Sequence, residues 1–242
     1  MTAYFGIFKE PRGLIRLLQF LFAIFAFATA CNGSSSLVIQ YSSTKTAQAD
    51  WSYPYNLQNS DITIGNSSIN LSASNDIKPS AEFFVFTGVT AMLLSLAFAV
   101  MYVLMDRQYR NDERFPIIDL VITVIWTIFW IAGSSAWAQG VTNIRSLTSY
   151  DNVVQQFPAC GSLGCSQSQS GTYANIIVSV IFGFLNFFLW ACCIWFVYKE
   201  TRFFKSRTAQ QQPQQQNNFS NIGAPSMYPP PTAQTQMPGS MG

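Results

Sequence analysis

The sequence is short of charge. Only 10% of its 242 residues are Asp, Glu, Lys or Arg, while 49% are apolar and 15% aromatic. A soluble domain of this size usually carries roughly 25% charged residues. The net charge is only +2, which argues against a nucleic-acid-binding protein. The deficit therefore indicates a membrane protein.

Histidine is absent altogether, which leaves few ligands for a zinc site. The sequence also has no Gly-rich phosphate loop and no nucleophile paired with a base. We therefore predict that the protein is not an enzyme and needs no cofactor.

Four long apolar segments are present instead. A helix that crosses a bilayer needs about 20 mostly apolar residues, and residues 14–30, 81–105, 116–138 and 175–198 meet this requirement. We predict an all-α membrane protein, a four-transmembrane-helix bundle within residues 1–205, with loops at 31–80 and 139–174. The first loop contains the β-forming stretches "SLVIQY" and "DITIG", so short strands are expected there.

Basic residues cluster on one side of these spans. They precede the apolar run of the first span, lie between the second and third spans, and follow the fourth: Lys9, Arg12 and Arg16; Arg107, Arg110 and Arg114; Lys199, Arg202, Lys205 and Arg207. The positive-inside rule then places both termini in the cytosol and the two loops in the lumen. Residues 17–30 also fit a cleavable signal peptide, an alternative that leaves the rest of the topology unchanged.

The loops and tail carry several candidate features. Asn66 and Asn70 begin glycosylation sequons in the first lumenal loop. Cys160 and Cys165, in "CGSLGC", lie in the oxidising compartment, where a short disulfide is expected and free thiols or intermolecular pairing are the alternatives. Residues 206–242 are rich in Gln, Asn and Pro and are expected to be a disordered cytosolic tail.

Within the spans, few polar groups are deep. Asp119 and Glu82 lie near span ends and are expected to reach an interface, whereas Asn186 lies near the bilayer centre. A single amide fits helix packing, with Gly183 allowing close approach one turn away. The alternative is a ring of Asn186 side chains lining a pore around an oligomer axis.

Two further groups of residues lie in the third and fourth spans. Trp126, Trp130 and Trp137 form a stripe on one face of the third span, which indicates helix packing or a surface for sterol or a partner helix. Cys192 and Cys193 are expected to be small buried hydrophobes or palmitoylation sites.

Several segments of the sequence, spread over roughly residues 5–205, follow a pattern of a known family in order and spacing: "IFKEPRGLIRLLQFLFAIFAFATA", "YPY" at 53–55, "SAEFFVF" at 80–86, "SSAWAQG" at 134–140, "FPACGSLGC" at 157–165, "FGFLNFFLW" at 182–190 and "WFVYKET" at 195–201. In these segments the sequence resembles the synaptophysin and synaptoporin family of vesicle tetraspan proteins.

The resemblance implies a MARVEL-type four-helix domain with an uncleaved first span. It also implies residence in synaptic or small secretory vesicles, homo-oligomerisation, association with cholesterol and binding of the vesicle SNARE synaptobrevin. A role in exocytosis and vesicle recycling follows as an expectation, and an oligomeric vesicle channel is the alternative. The sequence departs from that family in lacking a cysteine between Cys31 and Cys160 and in its short tail with one tyrosine.

Overall fold

A computed structural model describes residues 11–42, 45–56, 61–64, 67–70, 77–111, 114–157, 160 and 164–201. These residues contain five helices and five strands. The helices are α1 (Pro11–Cys31), α2 (Lys78–Asn111), α3 (Arg114–Leu147), α4 (Tyr150–Gln156) and α5 (Ala174–Glu200); the strands are β1 (Ser35–Ser42), β2 (Lys45–Trp51), β3 (Asp61–Ile64), β4 (Ser67–Asn70) and β5 (Ser166–Gln169). Both the tail at 206–242 and Asn66 lie outside the described residues.

Four of the helices, α1, α2, α3 and α5, are long and apolar enough to cross a membrane. Each long helix packs against two others, in the closed order α1, α2, α3, α5 and back to α1. We call the end at which α1 and α3 begin the terminal end, and the opposite end the sheet end. The predicted four-helix fold class is thus confirmed.

The outer surface of the bundle is apolar. Large aliphatic and aromatic side chains are exposed along all four long helices, among them Leu21, Leu96, Ile128 and Phe188. Inside, small residues such as Ala23 and Ala26 on α1 let the helices approach, and Phe84, Trp130 and Trp190 fill the space between them. This arrangement is expected of helices surrounded by lipid, because lipid tails solvate apolar side chains as well as the protein interior does.

The strands form a small antiparallel cap at the sheet end. β1 lies at the centre of a three-stranded sheet in the order β2, β1, β5, and β3 pairs with β4 in a separate hairpin. In register, Leu37 pairs with Ala49 and Ile39 with Ala47, and all four side chains are buried in the core. The predicted strands in the first loop are thus confirmed, whereas β5, from the second loop, was not predicted.

The cap is tied to the helices by polar contacts. The Tyr55 hydroxyl donates a hydrogen bond to the carbonyl of Ala30 at 2.5 Å, which satisfies one of the free carbonyls at the end of α1. The side chain of Asn175 donates to the carbonyl of Asn32 at 3.1 Å. Burial raises the pKa of the Tyr55 phenol, so this residue stays a hydrogen-bond donor at neutral pH.

Helix α3 is longer than the sequence predicted. The apolar run ends near residue 138, but the helix continues to Leu147, so nine residues expected in the second loop are helical. The extension is amphipathic, since Val141 and Ile144 are buried while Thr142, Arg145 and Ser146 are exposed. It carries the end of α3 above the membrane, where α4 and β5 pack near it.

Candidate functional site

An ion pair lies buried between the helices near the terminal end. The guanidinium Nη2 of Arg16 on α1 is 2.5 Å from Oδ1 of Asp119 on α3, and both side chains are fully buried. Each is the sixth residue of its helix, so each lies about 7.5 Å along the axis from the first helical residue. Arg16 turns into the bundle, although a long cationic side chain near a span end often extends toward the interface.

Further hydrogen bonds surround the carboxylate and the guanidinium. The hydroxyl of Tyr102, on α2, donates to Oδ2 of Asp119. Arg16 also donates from Nη2 to Oγ1 of Thr123 at 2.8 Å and from Nη1 to Oε1 of Gln19 at 2.9 Å. Gln19 in turn donates to the carbonyl of Leu189, on α5, at 3.3 Å. The network therefore joins all four long helices, and we call it the four-helix polar cluster.

Aromatic rings enclose the cation. The guanidinium carbon of Arg16 lies 4.4 Å from the ring centre of Phe98 and 5.3 Å from that of Trp190. Both distances are within the range of cation–π attraction. These contacts help to offset the loss of hydration, which costs several kcal/mol for each buried ion.

The four-helix polar cluster is suited to holding helices together. The Asp119 carboxylate is a shared acceptor for Arg16 and Tyr102, and removal of either ion would leave an uncompensated charge within the membrane. Among the described residues, no group of three His, Cys, Asp or Glu side chains could hold a metal ion. The arrangement fixes which helix faces meet and at what depth.

This cluster was not predicted from the sequence. Asp119 was expected to reach an interface and Arg16 served only as an orientation signal, whereas both are fully buried. One signal was available: each lies between apolar residues, Arg16 between Ile15 and Leu17 and Asp119 between Ile118 and Leu120. Opposite charges at the same depth in two helices of the same direction indicate a pair.

Asn186 faces the bundle interior. Its Nδ2 donates to the carbonyl of Phe182, one turn earlier in α5, at 2.9 Å, and its Oδ1 has no hydrogen-bond partner. The amide thus bonds to its own helix, so the expected hydrogen bond between helices is not formed. Because the residue is fully buried within one chain, it does not lie on the outer face that would line a pore between subunits.

Gly183 lies at a close contact of α5 with two neighbouring helices. A Cβ atom at this position would lie 2.5 Å from Oγ of Ser134 on α3 and 2.6 Å from Cε2 of Phe84 on α2. Real Cβ atoms do not approach that closely, so any larger residue requires the side chains of Ser134 and Phe84, or the helices themselves, to shift. Gly183, one turn before Asn186, is therefore where three helices meet.

The tryptophan stripe lies mainly inside the protein. Trp130 and Trp137 are fully buried and Trp126 is partly buried. Trp137 donates from Nε1 to Oγ of Ser179 on α5 at 2.8 Å, and its ring centre is 5.0 Å from that of Tyr55. Trp130 and Trp137 therefore do not form a surface for sterol or a partner helix, because Trp130 packs against Phe84 on α2 and Trp137 contacts α5 and the cap.

The cysteines fall into three environments. Cys160 and Cys165 form a disulfide with a Cα–Cα distance of 5.0 Å. Cys192 is exposed on the outer face of α5, whereas Cys193 is fully buried beside Ile15 and Val197. An acyl group can reach Cys192 but not Cys193, so the latter is not a palmitoylation site in this fold.

The two sequons have a limited structural description. Asn66 lies outside the described residues, and the backbone of Asn70 ends β4, where it pairs with Asp61. This hairpin belongs to the cap, beyond the helices.

A comparison with protein families agrees with this architecture. The chain matches the family described as "MARVEL: Membrane-associating domain" over residues 7–196, a range that contains almost all of the four long helices and the whole cap. The protein belongs to the MARVEL family and is a multi-pass membrane protein. The MARVEL part of the sequence-based expectation is thus confirmed.

Proposed function

We propose that this protein is a non-enzymatic organiser of synaptic or small secretory vesicle membranes, which self-associates and binds a synaptobrevin-type SNARE through its spans. One observation carries the proposal: the deep polar side chains of the four long helices, among them Arg16, Asp119 and Asn186, are buried, and large apolar side chains are exposed on the outer faces. Lateral contact with other membrane helices and with lipid is the interaction that such a surface offers. The vesicle location and the SNARE partner come from the synaptophysin-like sequence segments.

In this role the four-helix polar cluster keeps the outer surface constant. Because the Arg16–Asp119 pair and its partners fix the four helices relative to one another, the exposed residues of neighbouring helices keep one arrangement. A partner helix then meets a surface that is already formed, which lowers the entropic cost of association. Cholesterol, proposed as a lipid ligand, would bind on the same outer surface.

The channel alternative was based on Asn186, and this residue does not lie where a pore between subunits would need it. A pore around an oligomer axis needs polar side chains on the outer faces of the subunits, and Asn186 and Gly183 both face inward. The observations therefore favour the organiser over the oligomeric channel.

We also propose that both termini are cytosolic and that the sheet end is lumenal. The basic residues near the terminal end support this orientation, and so does the disulfide between Cys160 and Cys165 at the other end. Asn66 and Asn70 would then be available for N-glycosylation. A glycosidase-sensitive mass shift that disappears in the Asn66→Gln/Asn70→Gln double variant would support the orientation, whereas labelling of the cap from the cytosolic side of sealed vesicles would refute it.

The function is tested by photocrosslinking in intact vesicles. A photoreactive amino acid replaces Phe188 on the outer face of α5, and a matched control variant carries it at the buried Asn186, half a turn away. We expect self-crosslinks and synaptobrevin crosslinks from position 188, identified by mass spectrometry, and neither from position 186. Recovery of lipid adducts alone from position 188 and from a second exposed site, Ile128, would contradict the organiser function.

A further inference from the structure

A polar cleft lies at the sheet end, outside the membrane-spanning part of the bundle. It has a volume of about 520 Å³ and lies between the end of α3, the start of α4 and the chain from β5 to α5. We call it the sheet-end cleft. The residues that carry the argument are Arg145, Thr148, Asp151, Gln167 and Tyr173, which all line it.

Among the described residues that line the cleft, Arg145 is the only basic one. Its guanidinium carbon is 5.8 Å from the ring centre of Tyr173, and in the described part of the chain no carboxylate forms an ion pair with it. Most of its five N–H donors therefore remain available to a ligand. A guanidinium presents these donors as a planar fork that matches a carboxylate.

The ring beneath Arg145 is held in place from two sides. Trp51 of the cap stacks on Tyr173 with ring centres 5.5 Å apart and an interplanar angle of 10°. The Tyr173 hydroxyl is 2.8 Å from Oγ1 of Thr148. The aromatic platform is therefore fixed before any ligand arrives, which orients the cation that lies over it.

The rest of the lining fits a neutral polyol. It contributes serine and threonine hydroxyls, the amide of Gln167 and one carboxylate, Asp151. With one cation and one anion, the lining has no net charge, so a multiply charged phosphate is poorly matched. A ligand with one negative charge and several hydroxyls suits it better, because Asp151 and Gln167 can accept hydrogen bonds from those hydroxyls.

The height of the cleft above the membrane narrows the choice of ligand. A hydrocarbon core of about 30 Å takes about 20 residues of helix, so a core that begins near Phe115 ends near Ser135. Arg145 then lies roughly 15 Å further along α3, beyond the phosphate layer of ordinary phospholipids. A sugar headgroup extends to this height.

We propose that the sheet-end cleft binds a carboxylate-bearing sugar, with the carboxylate on Arg145 and the ring hydroxyls on Asp151 and Gln167. The sugar is either the headgroup of a glycolipid in the same leaflet or a free acidic oligosaccharide. This inference does not depend on the vesicle function or on the SNARE partner.

The test uses the full chain in nanodiscs, which expose both faces, and saturation-transfer NMR with 3′-sialyllactose as the probe. We expect saturation transfer to the sialyl protons, and at least roughly tenfold weaker binding of lactose, which lacks the carboxylate. Arg145→Gln should weaken 3′-sialyllactose binding by a similar factor. Lys45→Gln, which removes an exposed cation elsewhere in the cap, is the matched control and should change nothing.

The two sources are distinguished by the lipid composition. If a membrane glycolipid fills the cleft, nanodiscs with a monosialylated glycolipid abolish the free-sugar signal, while those with neutral lactosylceramide do not. If only the soluble sugar binds, the signal persists in both.

Equal signals for 3′-sialyllactose and lactose, no signal for either, or an unchanged signal in Arg145→Gln would overturn the proposal. If Arg145→Gln lowers the melting temperature, Gln167→Ala is used as the test variant in its place. The exposed Gln167 side chain on β5 can be truncated without cost to the core. That variant should bind about threefold more weakly, and unchanged binding would count against the site.

Discussion

Arg16 and Asp119 occupy the same depth in α1 and α3, which lie diagonally opposite in the bundle: each is the sixth residue of its helix, and their side chains meet at 2.5 Å. They are separated by 103 positions in the sequence. A pair of this kind makes the stability of α1 depend on α3.

Loss of one partner of the buried pair should strongly destabilise the protein. Arg16→Leu or Asp119→Leu alone is expected to destabilise the protein by about 3–5 kcal/mol, because the remaining ion is left uncompensated. The double variant should recover much of that loss. The stability of the three variants is measured by thermal unfolding in detergent, in which the fraction of protein that stays monodisperse is monitored. The exposed Lys78–Glu82 pair, at 3.7 Å, is the control and should contribute at most about 1 kcal/mol; equal effects at the two pairs would contradict the prediction.

Loss of the Tyr102 hydroxyl should destabilise the protein less than loss of either ion. Tyr102→Phe keeps the ring but removes one hydrogen bond to the Asp119 carboxylate, so a loss of about 1.5–3 kcal/mol is expected in the same unfolding assay. Tyr41→Phe, on the partly buried β1, is the matched control and should be close to neutral. An unaltered melting temperature in Tyr102→Phe would show that Asp119 does not need this donor.

Glycine at position 183 should be required for the close contact of α5 with α2 and α3. Gly183→Ala would bring a Cβ to 2.5 Å from the Ser134 hydroxyl and 2.6 Å from the Phe84 ring, so overpacking should cost about 1–3 kcal/mol. Gly133→Ala is the matched control, since its Cβ would meet nothing nearer than 3.5 Å. A melting temperature that falls equally in both variants would mean that helix propensity or lipid contact, and not the α5 contact, governs the result.

Replacement of Asn186 should have little effect. Its Nδ2 bonds within α5, and no described residue donates to its buried Oδ1, so Asn186→Leu removes an unsatisfied polar atom and keeps the branched shape of the side chain. We expect unchanged or slightly higher thermal stability and unchanged self-crosslinking from position 188. If Asn186→Leu instead abolished an ionic conductance in reconstituted bilayers while assembly stayed intact, the result would support the channel alternative.

The two adjacent cysteines of α5 should differ in reactivity. Cys192 is exposed on the outer face and Cys193 is fully buried. If the chain is palmitoylated on α5, Cys192→Ser should abolish the modification, measured by acyl exchange, and Cys193→Ser should leave it unchanged. The opposite pattern would mean that α5 is rotated relative to the structure described above.

Sequence alone predicted the four long helices, because each contains an apolar run long enough to cross a membrane, whereas the short α4 lies within the predicted second loop and was not predicted. It predicted β1 and β3 from β-branched residues, but β5, "SQSQ" at residues 166–169, has no such signal and forms because β1 offers it an open edge. The extension of α3 was missed because its amphipathic pattern begins where the continuous apolar run ends.

The candidate site was harder to predict, because it depends on which way a side chain turns. Asn186 was identified as deep and unusual, and it is fully buried, but its hydrogen bond goes to its own helix. Asp119 looked like an interface residue because a carboxylate near a span end can reach water, and Arg16 looked only like part of the basic cluster that sets the orientation. Only the helix arrangement reveals that both point inward and toward one another.

The order of synthesis gives the buried pair a further consequence. Arg16 enters the membrane before the ribosome has made Asp119, and at 5–20 residues per second the intervening 103 positions take roughly 5–20 seconds. During that interval Arg16 carries a charge without its counter-ion, and its long side chain can extend to the nearby interface instead. A nascent chain that stalls before the third helix therefore keeps that charge exposed, which distinguishes it from a finished molecule.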